Sequence, residues 1–237
     1  MPLIPILTAV VGAGIALGIV ALLGGFGGDS NGAGSGKSTT STTKAAPPPP
    51  LTGDALRLRH LLTAGNKVTY HATYNLTSTD PQLAGGSVAI EVWRKPPDER
   101  QDSSEIVTGS PAQHQEALYL SGELINCSQA GTLKWSCSSA GKGQTSGPDA
   151  IVRKITAQLA GYLVTSRTAT YAGVPSDCFD MSNSTGKLTL CVDSEGVPDF
   201  VNQGTDTLQA SEIDHNIPGG TFTPPGPVTS GTTTSSP

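Results

Sequence analysis

Charged and aromatic residues are scarce in this 237-residue chain, at 14% and 5% of its composition. Its 14 basic residues are outnumbered by 19 acidic ones, which gives a formal net charge of −5. A nucleic-acid-binding surface needs clustered Lys and Arg to neutralise phosphates, so this composition argues against a nucleic-acid partner. With 29 Gly and 18 Pro, part of the chain must be linker or tail instead of packed core.

Recognisable catalytic and metal-binding patterns are also lacking. No GxSxG nucleophile turn and no HxxxH pair occurs, and the four histidines are predicted to be solvent-exposed: His60, His71, His114 and His215. The acidic residues 177, 180 and 193 lack the dense loop of a calcium site, and those around Arg100 fit a solvated strand edge. The sequence therefore predicts no enzyme activity, no cofactor and no metal.

One long apolar run is present, at residues 3–26, and it exceeds the roughly 20 residues that a membrane-spanning helix needs. A cleavable signal peptide would have a basic start and a shorter apolar stretch, so we expect an uncleaved single span. Residues 1–28 are assigned to this anchor and its flank, and the Gly/Ser/Thr/Pro-rich residues 29–50 to a linker. The uncharged residues 223–237 are predicted to be a disordered tail.

Period-two alternation dominates residues 51–222, which are predicted to form one domain. The clearest case is residues 67–76, where Tyr70, Ala72 and Tyr74 share one face of a strand. Further strands are predicted around residues 88–93, 118–120, 133–135, 166–171, 177–182, 187–193, 199–203 and 207–212. Short Gly- and Pro-containing turns between them indicate an antiparallel meander.

Two segments have helical instead of strand periodicity. Residues 51–64 place Leu51, Ala55, Leu58 and Leu62 on one face, and residues 148–163 form a second apolar stripe. The fold class predicted from these patterns is α+β, a long antiparallel sheet with two amphipathic helices packed on one face.

Four cysteines allow three pairings, and their spacing favours one of them. Cys127 and Cys137 flank a turn at residues 130–131, while Cys178 and Cys191 lie on strands that flank a turn at residues 183–186. We therefore predict the disulfides Cys127–Cys137 and Cys178–Cys191, in preference to free thiols or a four-cysteine zinc site.

Disulfides need an oxidising compartment, so the domain is expected outside the cell membrane, with the N-terminus in the cytoplasm. Lys37 and Lys44 follow the apolar run, and by the positive-inside rule they favour the opposite orientation. The cysteines are the stronger indication, because two lysines make only a small charge bias.

The order of elements, with the phrases KVTYHATYNL, PDAIVRKITAQLAGYL, AGVPSDCFDM and KLTLCVD, resembles the LolA/LppX-like superfamily of bacterial envelope proteins, which includes LprG-type lipoproteins. This resemblance implies a strongly curved sheet, a half-barrel wrapped around helices, that can enclose an apolar cavity for lipid or acyl chains. Lipoprotein members carry a lipidated N-terminal cysteine. This chain has a predicted membrane span there, which implies a module fixed to the membrane.

Two functions follow as alternatives. The first is a tethered module that binds a lipid or other apolar ligand, in a cavity lined by Tyr70, Ala72, Tyr74, Val88, Ile90, Leu118, Leu120 and Trp135. The second is a sensory or protein-interaction domain with an envelope protein as partner, in which the same side chains fill a dry core. An open apolar cavity of several hundred Å³ would favour the first.

Overall fold

The computed structural model describes residues 50–79, 87–105, 112–142, 155–184 and 186–230. The predicted membrane span, nearly all of the linker and residues 231–237 lie outside these ranges. Within them, no helix is long and apolar enough to cross a bilayer.

Twelve strands in the described ranges form one large curved sheet that does not close on itself. They are β1 (Tyr70–Ser78), β2 (Ser87–Lys95), β3 (Asp98–Glu105), β4 (Gln113–Leu120), β5 (Glu123–Ala130), β6 (Ser136–Lys142), β7 (Leu163–Tyr171), β8 (Val174–Asn183), β9 (Gly186–Val192), β10 (Pro198–Gln203), β11 (Asp206–Asp214) and β12 (Val228–Ser230). Their order across the sheet is β12-β6-β5-β4-β3-β2-β1-β11-β10-β9-β8-β7. All neighbours are antiparallel except β12 and β6, so the predicted antiparallel sheet is confirmed.

Two short helical segments accompany the sheet in the described ranges. Helix α1 (Gly53–Gly65) matches the first predicted helix. The described part of the second is residues 155–158, followed by a 3-10 turn at Leu159–Gly161. The predicted end at residue 163 is too late, because Tyr162 is extended and Leu163 begins β7. Residues 148–154 of that prediction lie outside the described ranges.

The main core lies between these helices and one side of the sheet, here called the helix face. Leu58 and Leu62 of α1 and Leu159 pack on alternate side chains of β1, β2 and β8 to β11, among them Tyr70, Ala72, Tyr74, Ile90, Val92, Phe179, Leu190 and Val201. The predicted alternation of residues 67–76 is confirmed, since Tyr70, Ala72 and Tyr74 are buried.

Helix α1 is fixed to the sheet at both ends. The Asp54 carboxylate accepts hydrogen bonds from the backbone N–H and the hydroxyl of Ser166 on β7, at 3.0 and 2.9 Å. At the other end, a Cβ on Gly65 would fall on the carbonyl group of Gly196, which itself has a φ of +87°. The last turn of α1 therefore touches the β9–β10 turn backbone to backbone, which only glycine permits.

Both predicted disulfides are confirmed. Cys127 lies directly opposite Cys137 on β5 and β6, and Cys178 lies directly opposite Cys191 on β8 and β9. Each bridge therefore fixes the register of one hairpin.

Two strand predictions are wrong. Residues 133–135 belong to the β5–β6 connection, where Leu133 is 67% exposed, because pairing Cys127 with Cys137 places the hairpin turn at residues 131–133. Strand β3, expected at a solvated edge, lies between β2 and β4 in the interior of the sheet. Its polar side chains are satisfied by ion pairs and hydrogen bonds, which sequence alternation does not reveal.

The C-terminal segment differs from the predicted tail over residues 223–230. Residues 215–230, here called the strap, leave β11 and return to the far edge of the sheet. There Val228, Thr229 and Ser230 form β12 beside Cys137, Ser138 and Ser139 of β6. The strap is rich in Pro, Gly and Thr, as a disordered tail is, and its position depends on contacts distant in sequence.

Candidate functional site

The sheet divides the eight predicted cavity residues between its two sides. Tyr70, Ala72, Tyr74 and Ile90 belong to the core of the helix face, with Val88 packed against it. Leu118, Leu120 and Trp135 lie on the other side, in a second small core with Ile125 and the Cys127–Cys137 bridge. No single cavity can be lined by all eight.

The register explains this division. Ile90 lies opposite Ser103, and Ser103 lies opposite Gln115. Alternation then places Ala117 on the helix face and Leu118 on the other side, where it lies opposite Arg100 and Ile125. We call this other side the strap face, because the strap crosses it.

A buried ion pair occupies the polar end of the helix face. Arg94 donates hydrogen bonds to Glu99, at 2.6 Å, and to the carbonyl group of Asn66, at 3.1 Å. Gln101 donates to the other oxygen of Glu99, at 2.6 Å. Burial and the charge of Glu99 raise the pKa of Tyr119 beside this pair. These buried groups have partners, as packed cores require.

Sequence reasoning missed Arg94, although one signal was available, and it wrongly assigned Glu99 to a solvated strand edge. Arg94 continues the alternation of Val88, Ile90 and Val92, so its side chain had to point to the same face. Glu99 has no such signal, since β3 lacks apolar alternation.

One pocket lies where the linker enters the domain, between the start of α1 and β7. Its volume is about 180 Å³, and it is lined by Pro50, Leu51, Thr52, Ala55, Leu159, Ala160, Tyr162, Leu163 and Val164. None of the eight predicted cavity residues lines it. Ligand pockets for drug-sized molecules typically measure about 300–1,000 Å³, so this one is small for a lipid.

A row of stacked side chains crosses the strap face. The ring of His71 stacks on Trp93, with centroids 4.9 Å apart, and the Arg100 guanidinium lies 5.1 Å from the Trp93 ring. His71 also contacts Asp214 through Nδ1, at 3.0 Å, and this hydrogen bond lowers the pKa of Asp214. The prediction that His71 is solvent-exposed is therefore wrong, because its side chain is only 18% exposed.

Arg100 joins the strap to the sheet. Its guanidinium holds both oxygens of Asp102, at 2.8 and 2.6 Å, lies 3.0 Å from Glu116, and donates to the carbonyl group of Thr221 in the strap, at 2.9 Å. Burial raises the pKa of Glu116 to about 7, the Asp102 charge adds to the rise, and Arg100 opposes it.

At the start of the strap, His215 contacts the Thr69 carbonyl group through Nδ1, at 2.9 Å, and Glu195 through Nε2, at 3.4 Å. The rest of the strap is held by few contacts. Thr229 donates its hydroxyl to the carbonyl group of Cys137, at 2.9 Å. A Cβ on Gly226 would lie 3.0 Å from the Cβ of Trp135 and 3.1 Å from its carbonyl oxygen, so the strap passes close to the main chain of Trp135. No residue from 216 to 230 is fully buried, and all three residues of β12 are exposed.

A second buried carboxyl group lies near the β9–β10 turn. Asp199 is fully buried; Ser176 is its hydrogen-bond partner at Oδ2, and Oδ1 has none in the part of the chain described. Burial raises the pKa of Asp199 to about 7, the Ser176 hydrogen bond opposes the rise, and the Asp193 charge adds to it. No sequence pattern marked Asp199.

No group of metal ligands is found in the described ranges. Of the acidic residues weighed for calcium, Asp177 pairs with Arg57, and Asp180 with Arg167 and Thr189. Asp193 accepts the N–H groups of residues 195 and 197 and so closes its own turn. Each has a structural role.

An exposed polar surface completes the helix face over β5 and β6, away from the helices. Asn126, Ser128, Ser136 and Ser138 all point to this side and are exposed. Small polar side chains on an open sheet surface offer hydrogen-bonding groups to a macromolecular partner and no enclosed volume to a small ligand.

No protein-family model and no curated protein matches the chain. Among solved structures, MucB in complex with MucA(peri) is similar with a TM-score of 0.46 and 13% identity, over 69% of this chain and 56% of that chain. Two crystal forms of PNGF-II align with TM-scores of 0.37 and 0.36 at 10% identity, over 69% and 68% of this chain. The chain spans about half of the MucB chain and 31% and 30% of the PNGF-II chains.

Proposed function

We propose that this chain is an extracytoplasmic interaction domain, held at the cell membrane by residues 3–26, that acts through protein contacts on its sheet. The observation that carries the proposal is the division of the predicted cavity residues between two faces. Tyr70, Ala72 and Tyr74 fill a packed core, and the surfaces left open are a polar sheet face and sheet edges. The two disulfides support an oxidising compartment, and the resemblance to the LolA/LppX-like superfamily supports the cell envelope.

The competing function, binding of a lipid or acyl chain, needs space beneath the sheet. Ala72 lies between Tyr70 and Tyr74 on the helix face and is fully buried. Ala72→Trp should therefore overpack the core and destabilise the domain by about 1–3 kcal/mol or more. In a cavity, the same side chain would fill space, abolish ligand binding and leave stability unchanged.

Thermal melts and displacement of a fluorescent fatty acid separate the two functions. We expect no probe binding by the unmodified chain and a clear loss of stability in Ala72→Trp. Asn75→Trp, on the same strand but exposed, is the matched control and should melt like the unmodified chain. Stoichiometric probe binding that Ala72→Trp abolishes without destabilisation would overturn the proposal in favour of lipid binding.

A further inference from the structure

The groove beneath the strap is a specific binding site for an extended segment. It offers a guanidinium donor at Arg100, a close approach to the Cβ and main chain of Trp135 that favours a residue without a side chain, and the backbone edge of β6. An extended chain that pairs with a sheet edge gains main-chain hydrogen bonds, while the neighbouring side chains determine which sequence fits.

The strap itself is bound weakly in this groove. Its strand has three residues, pairs in parallel, and is exposed throughout. Parallel pairing is slightly less stable per residue than antiparallel pairing, and segments with few buried contacts open locally at low cost in free energy. The groove therefore selects for a segment of this kind, while the segment bound in it can be exchanged for another copy.

We propose that the strap of a second copy of this chain docks in this groove, so that two copies exchange straps and form a dimer. The inference rests on the proposed interaction function and names its surface and partner. A second strap brings the same carbonyl group for Arg100 and the same glycine for Trp135. Exchange of an identical element between protomers is a low-cost route to dimers.

Charge and geometry favour this occupant. Residues 216–230 carry no charged side chain, so docking of this segment adds no like charge to a second copy, whose net charge is −5. A turn at residues 218–223 is held by two local backbone hydrogen bonds, of 3.4 and 3.0 Å, and contains Gly220 at a φ of +83°. Opening this turn allows residues 218–227 to extend, and ten residues span at most about 33–36 Å when extended.

Disulfide trapping between differently tagged full-length copies in detergent tests the exchange. One copy carries Ser138→Cys and the other carries Thr229→Cys, since these residues are direct partners in the β6–β12 pair. Under mild oxidation the mixed disulfide can form efficiently only if the strap of one copy lies on β6 of the other. Thr168→Cys, exposed on β7, replaces Thr229→Cys in the matched control.

We expect the Ser138–Thr229 combination to give at least tenfold more mixed dimer than the control, and a synthetic peptide of residues 215–230 to suppress it. Gly226→Val in the strap-donating copy should lower the yield, because its side chain meets Trp135. If melting shows that a cysteine variant is misfolded, Ser139→Cys with Ser230→Cys tests the same pairing.

Mixed dimer at the control level in both combinations would overturn the exchange. That result would leave the interaction function standing with another partner. Fatty-acid binding of the kind described above would instead overturn the interaction function, whatever the cross-linking yields.

Discussion

Asp199 provides a direct test of how this domain is held together, because its carboxyl group is fully buried and its Oδ1 has no hydrogen-bond partner in the described ranges. The Ser176 hydroxyl contacts both Asp199 Oδ2 and the carbonyl group of Val174, the latter at 3.2 Å. The Ser176 hydroxyl donates to Asp199 and so favours the ionised carboxylate, whereas burial favours the neutral acid and has the larger effect. The rise in the pKa of Asp199 to about 7 agrees with this arrangement.

The pKa change determines the sign and size of the effect on stability. The pKa rises from 3.8 in the unfolded chain to about 7 in the folded domain. The resulting stabilisation is therefore complete below pH 3.8 and is lost as the pH rises towards 7. At 1.36 kcal/mol per pH unit, the free energy of unfolding should fall by up to roughly 4 kcal/mol across this range.

Asp199→Asn isolates this contribution, because the amide keeps the shape of the neutral acid and does not titrate. Urea unfolding followed by Trp fluorescence between pH 4.5 and 8 should show a weaker pH dependence for the variant, which should be more stable than the unmodified chain at pH 8. Glu212→Gln, at an exposed position on β11, is the control and should keep the original dependence. An unchanged pH dependence in Asp199→Asn would refute the neutral buried acid.

Four further outcomes follow from the fold. Gly65→Ala should destabilise the domain by at least about 1–3 kcal/mol in urea unfolding, because its Cβ meets the Gly196 carbonyl group; wild-type stability would contradict that contact. Because the pKa of Glu116 is raised to about 7, the free energy of unfolding should fall by up to about 3 kcal/mol between pH 4.5 and 7, and Glu116→Gln should remove this fall; the same urea titration measures it. Leu118→Ala should cost about 2–5 kcal/mol on chemical denaturation if the strap face contains a true core, and a cost near zero would indicate an unfilled site. Protease added to intact cells should trim the domain, whereas full protection would place it in the cytoplasm.

The sequence predicts the individual strands well wherever one side is apolar. The alternation of Tyr70, Ala72 and Tyr74 survives in the structure because burial of one face is what selects such a pattern. The paired cysteines were also predictable, since hairpin spacing leaves little choice of partner. These features depend on neighbours close in sequence.

The side of the sheet that each strand presents could not be predicted. Leu118 alternates as clearly as Tyr74 does, yet it serves a different core, because alternation within a strand does not reveal the register with the next strand. The polar sequence of strand β3 gives no sign that the strand is buried. Glu99 can be buried there because Arg94 forms an ion pair with it. The strap was missed because the residues that hold it are distant in sequence, as are Thr221 and Arg100, which are 121 residues apart.

The attachment of α1 has a mechanical consequence for the proposed membrane tether. A pull through residue 50 loads the helix first, because its start is held to β7 by two hydrogen bonds between Asp54 and Ser166 and to β8 by the ion pair of Arg57 with Asp177. The β8–β9 hairpin resists unfolding, because the disulfide between Cys178 and Cys191 links its two strands covalently. Tension would therefore peel α1 away while most of the sheet persists, and would uncover the tyrosines beneath it. Single-molecule stretching should register this as a small first rupture before the main one, and a single rupture would mean that helix and sheet yield together.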